Sequence, residues 1–134
     1  MTNVTQNRPL SPHLTVWRPT ITYVMSIVHR ITGVALYAGT LLVAIWLVAA
    51  ASGQESFEWV NGLFGSFLGR LVLIGYTWAL MHHMLGGIRH LIWDMLYGFD
   101  PADREWMTVA TLVGSIGLTV ALWVVGYLAM GGPR

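Results

Sequence analysis

Two clusters of polar and ionisable side chains interrupt otherwise apolar sequence, and both have spacings that could hold a ligand. The first is Ser26, His29, Arg30 and Gly33. Residues three and four apart share a helix face, so these four form one patch of hydroxyl, imidazole and guanidinium, with a glycine leaving room for close approach. Such a patch can hydrogen-bond a carbonyl oxygen or clamp a carboxylate. An arginine snorkelling to lipid headgroups, beside a serine and histidine bonded to the backbone or to another helix, gives the same spacing. The second cluster is His82, His83, Gly86, Gly87, Arg89 and His90. His83 and His90 are seven apart and share a face, with two glycines between them. A neutral imidazole about two turns inside the boundary marked by Arg89 has the chemistry of an axial haem ligand, since a flat macrocycle needs small residues where it meets a helix. A histidine hydrogen-bonded to a neighbouring helix is the other reading. His82 points about 100° away from His83, so the two are not equivalent ligands to one site. Nor do adjacent histidines make the i, i+4 chelate of helical metal sites.

The elements that position these groups are membrane helices. Of 134 residues, 55% are hydrophobic and only 10% charged, where a soluble domain carries about a quarter charged. Formal charge is absent from three long stretches, residues 31–53, 71–88 and 106–133. Crossing a bilayer takes about 20 apolar residues, and all three are long enough or nearly so. The fold class is therefore an all-α membrane protein with three transmembrane helices in a single domain. There is no cysteine, which excludes disulfides and cysteine-held clusters within the chain. Every basic residue is arginine and the formal net charge is +1, giving no reason to expect nucleic acid. No nucleophile–base pair, phosphate loop or paired carboxylates fall in the spans, so a stand-alone catalytic centre is not expected.

Residues 1–20 form a polar arm whose Pro9, Pro12 and Pro19 favour extended backbone. The first helix is expected over 21–51, a short loop over 52–61, a second helix over 63–97 and a third over 101–130. Asp100, Pro101 and Asp103 supply an N-cap, a first-turn proline and an acid at the third helix's start. Gly65 and Gly69 form a GxxxG pair suited to close helix contact, or to chance in a glycine-rich chain. Arg8, Arg18, Arg30, Arg89 and Arg104 fall on one side of the spans, against Arg70 and Arg134 on the other. This predicts a cytoplasmic N-terminus. The arm is a poor mitochondrial presequence and nothing reads as a signal peptide, which favours a bacterial plasma (inner) membrane.

The runs Arg8-Pro-Leu-Ser-Pro-His-Leu14, Ser26-Ile-Val-His-Arg-Ile-Thr-Gly33 and His83-Met-Leu-Gly-Gly-Ile-Arg-His90 with Asp94 together resemble the cytochrome b membrane-anchor subunit of succinate dehydrogenase, complex II. The resemblance implies an anchor paired with a second membrane-anchor subunit in a shared helix bundle, holding the iron–sulfur and flavoprotein subunits on the cytoplasmic face. It implies haem b shared between the anchors, with His83 as this chain's axial ligand, or His82 if the alignment slips by one residue. It further implies that Ser26 and Arg30 line a ubiquinone site, and that His29 and Arg30 lie near the haem propionates. His90 could approach a propionate or bond headgroups, and His13 and Trp17 are better placed to touch the iron–sulfur subunit than a cofactor. The implied function is passage of electrons from that subunit to ubiquinone in the respiratory chain and tricarboxylic acid cycle.

Two rivals fit the bare residues. A self-sufficient b-type cytochrome would need His29 and His83 to face each other across one macrocycle. A cofactor-free structural or transport protein would use the histidines for packing, but the spans hold no acids to couple protons.

Overall fold

The computed structural model describes residue 9 and residues 11–131. Four helices follow a short 3₁₀ turn at His13–Val16: α1 (Ile21–Ser52), α2 (Gln54–Gly65), α3 (Phe67–Asp94) and α4 (Pro101–Ala129). Three of them, α1, α3 and α4, are long and apolar enough to cross a membrane. Arg8 and Arg134, which enter the orientation count, lie outside the described residues, as do the first eight residues of the arm and Leu10 of its motif.

Burial runs opposite to that of a soluble protein. The hydrophobic residues withdrawn from the surface are Met25, Ala49, Val60 and Ala79, whereas the withdrawn polar ones are Thr32, His82, Arg89, Thr108, Thr111, Ser115 and Thr119. Large apolar side chains such as Val34, Leu41, Leu68, Val113 and Val125 point outward. Lipid solvates those side chains, while polar groups gain by turning towards the interior. The polar stripe on α4 is tolerated because Thr108, Thr111 and Thr119 each return their hydroxyl to the carbonyl four residues earlier, at 2.6 to 2.8 Å, and Ser115 bonds the Leu112 carbonyl.

Residues expected to form a loop instead form most of α2. Gly53, at φ 118°, breaks the chain after α1, and the helix resumes at once. Its only charged residues are Glu55 and Glu58, and Gln54 donates to the Glu58 carboxylate at 2.6 Å, an i, i+4 pair that supports helix. Asn61 accepts from the Trp46 indole at 3.0 Å, fastening α2 to α1. The second span therefore begins at Phe67, not at residue 63. Ser66, in extended conformation, ends α2 and caps α3 by accepting from the Gly69 amide at 3.1 Å. Gly69 is needed at this corner, where a Cβ would collide with the backbone of Leu63 and Phe64. Within this chain Gly69 thus serves a bend, while Gly65 meets nothing within 4 Å of where its Cβ would stand.

The other end of α3 stops at Asp94, three residues short of the expected 97. Leu96 and Gly98 take positive φ values of 65° and 76°, turning the chain back, and the Trp93 indole donates to the Gly98 carbonyl at 3.2 Å. Asp100 and Pro101 start α4 where expected, although the Asp100 side chain makes no capping bond. Pro12 and the 3₁₀ turn after it give the arm a local fold in place of fully extended chain.

Candidate functional site

On α3 the buried positions are Ala79, His82, Gly86 and Arg89, spaced three, four and three apart. This stripe faces the rest of the chain. His83, Gly87 and His90 form the adjacent stripe one residue on, half-buried or exposed. The histidine doublet therefore straddles a boundary between interior and surface.

His82 is 1% exposed. Its Nδ1 lies 3.3 Å from the Ser115 hydroxyl of α4, and its ring is tilted against Trp78 at 5.3 Å between centroids. It is sealed inside the α3–α4 contact.

His83 instead faces α1. Its Nδ1 lies 3.1 Å from the His29 carbonyl oxygen. A carbonyl can only accept, so Nδ1 carries a proton, and in the neutral imidazole Nε2 then holds the lone pair. Thr32 reinforces this arrangement: its hydroxyl donates to the same carbonyl at 2.9 Å, leaving its oxygen free to accept from Nδ1 at 3.3 Å. Among the described residues nothing hydrogen-bonds His83 Nε2. A histidine whose Nδ1–H is fixed by a backbone carbonyl and whose Nε2 is free has the tautomer of a metal-ligating imidazole.

The pairing between α1 and α3 is reciprocal. His29 Nε2 lies 3.3 Å from the His83 carbonyl oxygen, and the two rings stack with centroids 4.0 Å apart and planes 15° from parallel. Each ring occupies space left by a glycine on the facing helix. A Cβ on Gly86 would collide with the His29 ring, and one on Gly33 would meet His83 Cε1 at 3.0 Å. The expectation that Gly86 clears space for a macrocycle is thus modified, because His29 fills that gap. Gly87 differs, having no atom within 4 Å of where its Cβ would stand. It lies one turn from His83 on the same face. A free Nε2 beside an open glycine fits a flat ligand approaching from outside the chain. By contrast, stacked rings 4.0 Å apart leave no room for a macrocycle between His29 and His83, so these two do not form the facing pair of a self-sufficient cytochrome. Among the described residues no three His, Cys, Asp or Glu side chains converge as a metal site.

The remaining expected residues meet at the end of the bundle that holds the N-terminus of α1. Ser26, Arg30, His29 and His90 line a cavity of about 230 Å³, together with Thr22, Arg89, Trp93 and Thr108. The His90 ring stands edge-on to His29 at 5.5 Å and to Trp93 at 5.1 Å. Ser26 and Arg30 are exposed and make no hydrogen bond among the described residues. Two guanidiniums, two imidazoles and three hydroxyls line this cavity and no acid does, so it suits an electron-rich oxygen. His13 and Trp17 are exposed in the arm, apart from that cavity. The sequence reading missed the depth of Arg89 and the part played by Ser115 and Thr108. The signal was present as hydroxyl residues at 108, 111, 115 and 119, one helix face of α4.

Residues 4–126 match the family described as the succinate dehydrogenase/fumarate reductase transmembrane subunit. The succinate dehydrogenase cytochrome b556 subunit of Paracoccus denitrificans is 41% identical over 122 residues, covering 91% of this chain and 94% of that protein. Its counterpart in Rickettsia conorii is 36% identical over 117 residues, covering 87% and 91%. The mitochondrial cytochrome b560 subunit of Sus scrofa is 38% identical over 122 residues, covering 90% of this chain and 72% of that one. Three membrane-length helices, a polar interior and similarity along nearly the whole chain agree. The chain belongs to the succinate dehydrogenase/fumarate reductase transmembrane-subunit family, as a cytochrome b556/b560-type membrane anchor that is not catalytic on its own.

Proposed function

We propose that this chain binds haem b and ubiquinone as one of two membrane anchors of a bacterial succinate dehydrogenase, passing electrons from the iron–sulfur subunit to ubiquinone. The observation that carries the reading is the His83 imidazole, whose Nδ1 proton is committed to the His29 carbonyl while Nε2 has no partner. His83 would hold the haem iron from this chain, with the second anchor supplying the other ligand, and Gly87 would leave the flat ring room against α3. The burial of His82 against Ser115 supports His83 over it for that role. His29, Arg30 and His90 serve the propionates at the cavity end. Bound there, haem supplies a one-electron store beside the path to quinone.

Ubiquinone takes up two electrons and two protons. Ser26 donates a hydrogen bond to one quinone oxygen, and the Arg30 guanidinium stabilises negative charge developing on it. Neither side chain hydrogen-bonds another described residue of this chain. The cavity opens at the end where Arg18, Arg30, Arg89 and Arg104 cluster, which is the cytoplasmic face by the arginine rule. That face receives the iron–sulfur and flavoprotein subunits and supplies the protons. The complex sits in the inner membrane with the N-terminus of this chain cytoplasmic. The outward apolar faces of the three spans give the second anchor its seat, and lipid covers the remainder.

The test is a pair of assays on the purified complex. In Arg30→Leu, succinate-dependent ubiquinone reduction should fall about 10²-fold, the usual cost of losing a donor to a developing oxyanion. Succinate oxidation with a soluble artificial acceptor should persist. Ser26→Ala should show the same split to a smaller degree. Equal loss in both assays, or no loss in either, would remove the quinone from this cavity.

A further inference from the structure

One buried group has no role in the haem and quinone assignments. Arg89 is only 5% exposed. Its Nη1 donates to the Thr108 hydroxyl at 2.9 Å, and its guanidinium carbon stands 5.1 Å from the centre of the Trp93 ring. Both partners are neutral. Its Nε is buried and has no hydrogen-bond partner. The acids at this end, Asp94, Asp100, Asp103 and Glu105, are all exposed, and no carboxylate among the described residues pairs with it.

A guanidinium withdrawn from water into a membrane bundle is costly unless an opposite charge or a full set of acceptors completes it. One hydroxyl and one indole face do not. The hydroxyl is itself committed, since Thr108 donates to the Arg104 carbonyl at 2.6 Å and can only accept from Arg89. Arg89 is therefore rigidly held, charged and incompletely paired, and it forms part of the wall of the cavity that also contains Arg30, His29 and His90. A neutral quinone carbonyl would leave that charge uncompensated, whereas a carboxylate would neutralise it. Arg89 lies six residues from His83, about 9 Å nearer the membrane boundary at the helical rise.

We propose that Arg89 is a carboxylate-binding residue of this cavity, held in place by Thr108 and Trp93, and that it receives a haem propionate. This rests on the haem reading above and adds a residue to it. The phosphate of an acidic phospholipid offers similar oxygen chemistry, and the test separates the two sources.

The experiment compares wild type, Arg89→Gln, Arg89→Lys and Thr108→Val in the purified complex, reading haem content, the haem midpoint potential and co-purifying phospholipid. A fixed cation beside a propionate disfavours the ferric form, so Arg89→Gln should shift the couple about tenfold towards ferric haem, a fall of about 59 mV for one electron. Arg89→Lys should restore most of that shift. Thr108→Val should reproduce part of it, because the cation stays but loses its tether. If Arg89→Gln does not assemble, the Arg89→Lys and Thr108→Val potentials decide the matter. An unchanged potential in variants with full haem content would overturn the proposal while leaving haem binding intact. An unchanged potential with loss of an acidic phospholipid would assign Arg89 to lipid and overturn the propionate. Absence of haem from the wild-type complex would sink the haem reading and this proposal together.

Discussion

His82 and His83 are neighbours in sequence, yet they belong to different regions. The α3–α4 contact is closed around His82, which meets Ser115, and beyond it, where Trp123 donates to Thr77 at 3.3 Å. The α1–α3 contact is closed on one side and open on the other. There, His29 and His83 satisfy each other's backbone carbonyls, while His83 Nε2 and the space over Gly87 remain available. One interface is packed around its histidine, and the other leaves an unbonded imidazole nitrogen and an open glycine. Nδ1 is the bonded nitrogen in both rings; what separates them is depth, His82 lying 1% exposed while His83 stays half-buried one residue further round α3.

The largest effect should come from filling the glycine that shapes the open contact. Gly86→Val would drive the His29 ring off His83, an overpacking cost of about 1–3 kcal/mol. It should lower both the thermal midpoint and the haem content of the complex. Gly87→Ala, beside it, meets nothing within this chain and should leave the fold unharmed. If the two variants behaved alike, the distinction between the two stripes of α3 would collapse. A smaller effect is expected at the closed contact. Ser115→Val removes the partner of His82 and should cost about 1 kcal/mol, in the range of hydrogen bonds between membrane helices. Its haem spectrum should match wild type; a spectral change would mean that the closed contact is not separate from the ligand site. Smallest is Thr32→Val, which leaves His83 Nδ1 bonded only to the His29 carbonyl. A slight shift in haem potential with unchanged stability is expected, measured by redox titration alongside thermal unfolding.

Much of this was legible in the residues themselves. The three spans follow from uncharged stretches of sufficient length, and α4 begins at Pro101 because Asp100 and proline make a start signal that depends on no tertiary contact. The separation of His82 from His83 followed from helix geometry alone. Which of the two faces the interior did not, because both neighbouring stripes contain glycine and a basic residue. The partner was hidden in Ser115, whose hydroxyl looks unremarkable in a sequence rich in small residues. The α2 helix was missed because Gly53 and two glutamates read as loop chemistry, while the Trp46–Asn61 bond that fastens it joins residues far apart in the sequence. Gly86 was assigned to a ligand's space because periodicity can show a gap on a helix but not what fills it. The depth of Arg89 also depends on a contact with a different helix.

The most direct measurement is a reduced-minus-oxidised visible spectrum of the purified complex, with His83→Leu set beside His82→Leu and wild type. If His83 is the ligand and His82 a packing residue, the b-type signal is lost or altered in His83→Leu and retained in His82→Leu, whose complex is merely less stable. A retained signal in His83→Leu, or loss only in His82→Leu, would contradict the assignment and make the α3–α4 contact the place to look for the iron.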